Sequence, residues 1–318
     1  TNEYALYSVK QLLESNYPKT DISTVICNVT NGLRMLEIFN SFKVETIYHT
    51  AAYKHVPLVE ENPFEGVENN IFGTKIAIES AIKANVETFV LISTDKAVRP
   101  TNIMGATKRL SEMILQTLSD DKLDENSTRM TMVRFGNVLG SSGSAVPLFQ
   151  QQIKNGGPVT VTDSEIIRYF MSISEAAELV IQAGAMGKGG DVFVLDMGEP
   201  VKIYDLAKRL ISLSGLEIRD KSNPEGDIEI TFTGLRPGEK LYEELLIGEN
   251  VAETSHKQIW RAEEDSLSPA DLDHYLNLLQ KASETNDVMA LKEILKKAVL
   301  GFIPEEEIVD ILHQQNQN

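Results

Sequence analysis

Along the first half of the chain, short apolar runs alternate with longer stretches in which apolar residues recur every three or four positions. The runs Ile22 to Cys27, Thr46 to Ala51, Thr88 to Ser93 and Thr131 to Phe135 carry β-branched and aromatic residues and predict strands. Helical periodicity fills the intervals, clearest from Phe64 to Lys83 and from Ile103 to Leu118, and the chain opens in an amphipathic helix marked by Leu6, Val9, Leu12 and Leu13. Such alternation predicts an α/β fold, a Rossmann-type doubly wound parallel sheet covered on both faces with its chemistry at the strand ends. After Gly136-Asn137-Val138-Leu139-Gly140 the pattern loosens into Gly- and Ser-rich turns and short strand and helix signals as far as about Glu249. Helical stretches follow at Asp271 to Lys281, Val288 to Leu300 and Glu305 to Leu312. The division expected is a first domain over 1–140, a smaller mixed α/β domain over 141–265 interleaved with it, and a helical extension over 266–318 that caps the fold or joins copies of it.

Composition narrows the partners. A chain of 318 residues, 42% hydrophobic and 24% charged, suffices for one large or two smaller globular domains. With 30 basic and 47 acidic residues its formal charge is −17, which argues against wrapping nucleic acid and leaves room for a small anion held by a few local arginines. The single cysteine, Cys27, forms no internal disulfide, and its neighbours Val25 and Ile26 predict an inert buried thiol. No apolar run approaches the roughly eighteen residues of a membrane span, and the first residues do not read as a signal peptide.

A dinucleotide-binding sheet begins with a strand, a Gly-x-Gly-x-x-Gly turn and a helix whose N-terminus faces the pyrophosphate. None of these stands in this sequence. Because the first strand of such a sheet lies centrally, a further strand, helix and strand of roughly 30 or more residues is expected ahead of Thr1.

Reactive side chains gather in two adjoining runs. Ser93-Thr94-Asp95-Lys96 sets three at a strand end, and Asn102-Ile103-Met104-Gly105-Ala106-Thr107-Lys108 sets a lysine on the next helix. That is the layout of a redox active site, except that Met104 stands four residues before Lys108, where a short-chain dehydrogenase carries a tyrosine.

The run from Ser93 to Arg109 resembles the nucleotide-sugar 4,6-dehydratases of bacterial polysaccharide biosynthesis, a branch of the extended short-chain dehydrogenase/reductases. The similarity continues through Ala51-Ala52-Tyr53-Lys54-His55-Val56-Pro57, Asn69-Asn70-Ile71-Phe72-Gly73-Thr74, Val133 to Gly140, Arg168-Tyr169-Phe170-Met171 and Gly234-Leu235-Arg236-Pro237-Gly238-Glu239-Lys240, as far as about Asp265. The resemblance implies a methionine-containing UDP-N-acetylglucosamine 4,6-dehydratase of the retaining type. Such an enzyme oxidises C4 by hydride transfer to a tightly bound, recycled NAD or NADP, eliminates water across C5 and C6, and returns the hydride to C6.

Oxidation at C4 acidifies the C5 proton, so dehydration needs a base on the sugar and an acid for the departing C6 hydroxyl. The resemblance gives those duties to Asp95 and Lys96, in a pocket whose desolvation would favour a protonated Asp95 and a neutral Lys96. By the same resemblance Thr94 bonds the reacting oxygen and Lys108 binds the nicotinamide ribose, while Met104 shapes the pocket. The C4 hydroxyl proton then goes to Thr94, a relayed water or Lys96. Val29, Ala51, Ala52, Tyr53, Asn70 and Thr74 would surround the cofactor, with Asn28 in place of the aspartate common beside the adenine. Lys54 and His55 would edge the sugar pocket; no second ligand at helical or turn spacing supports a metal at His55. Arg168 and Arg236 would hold the diphosphate, because a guanidinium matches phosphate oxygens in bidentate fashion. Asn137 and Glu239 would help hold the sugar nucleotide, with Val146 and Thr160 along the uracil.

Two other readings compete with the lyase: a nucleotide-sugar 4-epimerase, which needs the tyrosine and has no use for an Asp-Lys pair, and a non-catalytic nucleotide-sugar binding module. A homo-oligomer is expected. The resemblance further implies a cytoplasmic catalytic region, attached to the inner membrane through an upstream segment, whose product feeds surface glycans.

Overall fold

In the computed structural model, which describes residues 2–120, 127–244 and 251–317, the apolar runs assemble into a six-stranded sheet. Its strands are β1 (Thr46–His49), β2 (Thr88–Ile92), β3 (Arg129–Arg134), β4 (Asp191–Leu195), β5 (Val251–Glu253) and β6 (Ile259–Ala262). Their spatial order is β1-β2-β3-β4-β6-β5, the first four parallel and the last two antiparallel. Around them lie α1 (Glu3–Asn16), α2 (Gly32–Phe42), α3 (Gly73–Lys83), α4 (Ile103–Asp120), α5 (Ile173–Met186), α6 (Pro269–Glu284) and α7 (Val288–Ala298).

The two-residue period of the strands divides the core. Phe89, Leu91, Met130, Met132, Val192 and Val194 face one side and join Leu110 and Ile114 of α4. Val90, Val133, Phe193 and Leu195 face the other, against Leu179, Val180 and Ala183 of α5. Burial on both faces is why these strands read as continuous apolar runs rather than alternating ones. A third cluster, around Phe149, Val159, Val161, Ile203, Ala207 and Ile228, fills the smaller unit. There Ile218–Arg219, Ile228–Phe232 and Val159–Val161 form a parallel three-stranded sheet beside the helices Ala145–Lys154 and Ile203–Leu213.

Three sequence expectations are corrected. Ile22 to Cys27 is not assigned as a strand: among the described residues no strand pairs with it, and Ile26 is exposed. Cys27 is accordingly half-buried rather than buried, its Sγ 3.3 Å from Asn28 O, and desolvation pushes the thiol pKa up. The stretch Glu305 to Leu312 is helical only from Ile311. Its earlier residues bond elsewhere: Lys292 donates to the carbonyls of Glu305 and Glu307, and the Glu305 side chain accepts from Gly238 N–H.

The helix predicted from Phe64 to Lys83 exists with an irregular centre. Pro63–Gly66 is α-helical, Val67–Phe72 widens into a π-helical stretch, and α3 resumes at Gly73. In the extension, Leu276, Leu279, Leu291 and Leu295 of α6 and α7 are buried in the same cluster as α4. Among the described residues no helix is long and apolar enough to cross a membrane.

Candidate functional site

The chain leaves β2 at Ile92 and reaches the reactive run at once, at the C-terminal edge of the parallel strands. Backbone bonds from Ser93 N to Val133 O (2.8 Å) and from Asp95 N to Phe135 O (3.2 Å) carry the β2–β3 pairing into the run. Thr94 then caps a single 3-10 turn, Asp95–Ala97. The Thr94 hydroxyl donates to Asp95 Oδ1 at 2.9 Å, and Lys96 Nζ donates to the same oxygen at 3.0 Å. Asp95 is buried, and its Oδ2 has no hydrogen-bond partner among the described residues.

A second carboxylate, which the sequence motifs did not single out, faces the pair. Glu243 Oε1 lies 3.5 Å from Lys96 Nζ and 3.6 Å from Arg168 Nε, while its buried Oε2 has no partner among the described residues. Burial alone would push Lys96 down, as the sequence led us to expect. Asp95 and Glu243 outweigh it and hold the ammonium above the usual lysine range, against a smaller opposing push from Arg168.

Helix α4 supplies Met104 and, one turn later on the same face, Lys108. The Glu60 carboxylate accepts Ile103 N–H at 2.5 Å and so fixes the start of this helix. Lys108 Nζ donates to Ile92 O at 2.7 Å, and burial pushes its pKa down to about 8 although Glu112 opposes the shift. Behind Met104, Gly105 is pressed against the reactive loop: a Cβ there would overlap Lys96 O and lie 3.0 Å from Pro100 Cβ.

Beneath the surface runs a network that no motif announced. Ser93 Oγ donates to Glu112 Oε1 (2.6 Å), and Arg134 Nε and NH2 donate to the two oxygens of Glu112 at 2.8 and 2.6 Å. Glu264 receives Arg134 at 2.5 Å, and Arg109 bridges Glu112 and Glu264. Despite desolvation, these guanidinium partners hold the Glu112 carboxyl down at about 2. The one sequence signal was position: Glu112 lies four residues after Lys108.

Two adjoining cavities open over these groups. The first, about 400 Å3, is lined by Ala52, Tyr53, Thr94, Met104 and Lys108 among others. The second, about 260 Å3, is lined by Thr160, Arg168, Arg236, Glu239 and Glu243 among others. Lys54, His55, Lys96 and Asn137 border both. Burial and the neighbouring Lys54 push the His55 pKa down, and no cluster of three metal-ligating side chains occurs among the described residues.

Six predicted residues stand apart from these walls. Asp95 is buried and lines neither cavity, reaching the first only through Thr94 and Lys96, which do. Asn70 sits in the π-helical stretch and is fully engaged: its Oδ1 accepts Tyr53 N–H at 2.8 Å, and its Nδ2 donates to Tyr53 O and Thr107 Oγ1. It shapes the turn after β1 instead of lining a cavity. Thr74 is buried with its hydroxyl 3.1 Å from His49 Nε2. Val29 packs where Gly73 leaves room for it, and Ala51 is exposed outside both cavities. Val146 misses the wall because Ala145, Leu148 and Phe149 form the inward face of their helix, at the three- and four-residue spacing that excludes position 146.

The two arginines differ. Arg168 borders the cavity but donates to the carbonyls of Ile167, Leu241 and Lys240, so it braces the chain around residue 240. The exposed guanidinium of Arg236 makes no hydrogen bond or ion pair among the described residues.

The family profile described as polysaccharide biosynthesis protein matches residues 1–264. A capsular polysaccharide biosynthesis protein, CapD, of Staphylococcus aureus is 52% identical over 275 residues, covering 86% of this chain and 43% of that protein. The chain thus spans less than half the length of this relative. A UDP-glucose 4-epimerase of Rickettsia canadensis is 37% identical over 209 residues, 66% of this chain and 58% of that one. Among solved structures, Pen from Bacillus thuringiensis superposes with a TM-score of 0.72 at 31% identity, covering 88% of this chain and 87% of that one.

Proposed function

The chain belongs to the polysaccharide biosynthesis protein family, and from that premise we propose that it is the catalytic region of a nucleotide-sugar 4,6-dehydratase acting on UDP-N-acetylglucosamine. The observation that carries this reading is the shared oxygen of the buried Asp95, which receives the Thr94 hydroxyl and the Lys96 ammonium, two side chains that line the first cavity.

The first cavity fits the nicotinamide-ribose end of a dinucleotide. Lys108 spends one of its three donors on Ile92 O, and the buried Ser144 Oγ on the same wall has no partner among the described residues. Lys108 would hold the ribose hydroxyls, with Ala52 and Tyr53 beside it. When bound, the nicotinamide supplies reversible oxidation at the sugar carbon.

The chain's own residues account for the protons. Thr94 Oγ1 accepts the C4 hydroxyl proton as it passes its own proton to Asp95 Oδ1, which leaves Asp95 as the acid. Lys96, as the neutral amine, takes the C5 proton while Asp95 protonates the departing C6 hydroxyl, releasing water. Lys96 then returns its proton to C5 as C6 is reduced. Each group ends in its starting protonation state, and the one proton lost at C4 balances the one that leaves in water. Arg236, with its free guanidinium, is the partner for the diphosphate. Asn137 and Glu239 would hold the sugar nucleotide, with Thr160 at the uracil end of the second cavity.

The 4-epimerase reading retains one supporting observation, the similarity to the Rickettsia protein. Incubating the full-length protein with UDP-N-acetylglucosamine and following the sugar by NMR separates the two: a 4-keto-6-deoxy product is expected, and a C4 epimer overturns the proposal. Asp95→Asn and Lys96→Ala should each lower product formation at least ~100-fold; substantial dehydration by both variants excludes the assigned roles.

A further inference from the structure

Beyond residue 264 the chain lies outside the stretch matched by the family profile, yet it reaches the wall of the second cavity. After α7, Phe302 is buried and Ile303 N–H donates to Pro100 O at 3.0 Å, tying the extension to the loop that follows Asp95 and Lys96. Lys292 of α7 donates to Glu305 O at 3.2 Å and to Glu307 O at 2.8 Å, which fixes the backbone of this return. Held there, Glu305 Oε1 accepts the Gly238 N–H at 2.9 Å.

Gly238 is gripped from its other side as well. Its carbonyl receives Thr101 Oγ1 at 3.1 Å and Asn102 Nδ2 at 2.9 Å. The glycine sits at φ +75°, where a Cβ would come within 2.6 Å of Asn102 Cβ, so this close contact and backbone conformation together demand glycine. On either side of it stand the two cavity residues of the segment, Arg236 and Glu239. They are linked to each other as Glu239 Oε2 accepts Arg236 N–H at 3.1 Å.

We propose that Glu305 is a positioning residue for nucleotide-sugar binding: through Gly238 it sets the segment that presents Arg236 and Glu239 to the second cavity. This rests on the nucleotide-sugar reading of that cavity. The helical extension thereby becomes part of the binding site, although its own side chains stay behind the wall. Loss of the contact frees the segment without touching Asp95 or Lys96, so it weakens binding and spares the chemical step.

The test uses the full-length protein with UDP as the calorimetric probe and UDP-N-acetylglucosamine as substrate. Glu305→Ala is expected to weaken UDP binding and raise KM by roughly tenfold, with kcat within about twofold, since a hydrogen bond to a charged acceptor is lost. Amide exchange of the peptide spanning 235–241 should quicken in the same variant. Glu305→Gln keeps a carbonyl oxygen in place and should recover most of the affinity and the exchange protection. Unchanged UDP affinity in Glu305→Ala overturns the proposal, as does equal loss of kcat in both variants, which marks a general structural defect. If the unaltered protein binds no UDP, the nucleotide-sugar reading falls; faster exchange at 235–241 in Glu305→Ala then leaves the latch itself standing, and unchanged exchange removes that too.

Discussion

Lys96 sits between two carboxylates, and this decides how its chemistry depends on pH. Asp95 and Glu243 both favour the ammonium, so the neutral amine that the proposed dehydration calls for is scarce at low pH and grows as pH rises. The groups around it include Arg168, Lys240, Lys54 and His55 as well. Glu243→Gln removes one of the two stabilising charges and lowers the proton affinity of Lys96. The ascending limb of kcat/KM against pH should therefore move to lower pH; an unmoved limb, or one moved upward, rules out this tuning. Sequence reading reached Thr94, Asp95, Lys96, Met104 and Lys108 because their types and order fall together within sixteen residues of one strand end and one helix. Glu243 escaped it, since a carboxylate 147 positions after Lys96 acquires meaning only when the chain folds back.

Among the elements, β2, β3 and α4 are joined less by apolar packing at the site than by Glu112. Its carboxylate ties Ser93 at the end of β2 to Arg134 at the end of β3 and to Arg109 on its own helix. Glu112→Gln leaves the fully buried Arg134 with one carboxylate partner, Glu264, in place of two. A loss of about 3–5 kcal/mol is expected, measured by chemical denaturation; a loss below about 1 kcal/mol would show that the network relaxes around the amide. Apolar periodicity located β2, β3 and α4 closely because burial on both sides imposes it. The same rule read Ile22 to Cys27 as a strand, a composition the segment has although no strand among the described residues pairs with it. It also carried a helix through residues 305–310, where Lys292 takes the carbonyls of Glu305 and Glu307 that intrahelical bonds would need.

For the molecule as a whole, the helical extension and the sheet share one interior. Leu291 and Leu295 are fully buried with Leu110, Ile114 and Phe89. Leu291→Ala should cost about 2–5 kcal/mol through lost burial and the cavity left behind, and thermal unfolding should remain a single transition by calorimetry and by Trp260 fluorescence alike. Two separated transitions would make the extension an independent unit. The alternating pattern was enough to foresee the Rossmann-type sheet with its smaller companion. It could not foresee the reach of the extension to Gly238, which depends on a turn after α7 that no periodicity encodes.

Gly105 bears on how such a site can diversify. Met104 borders the first cavity, so a change in its side chain alters that wall, whereas its neighbour cannot gain even a methyl group without displacing Lys96 or Pro100. The pocket can therefore be reshaped through position 104 but not through 105.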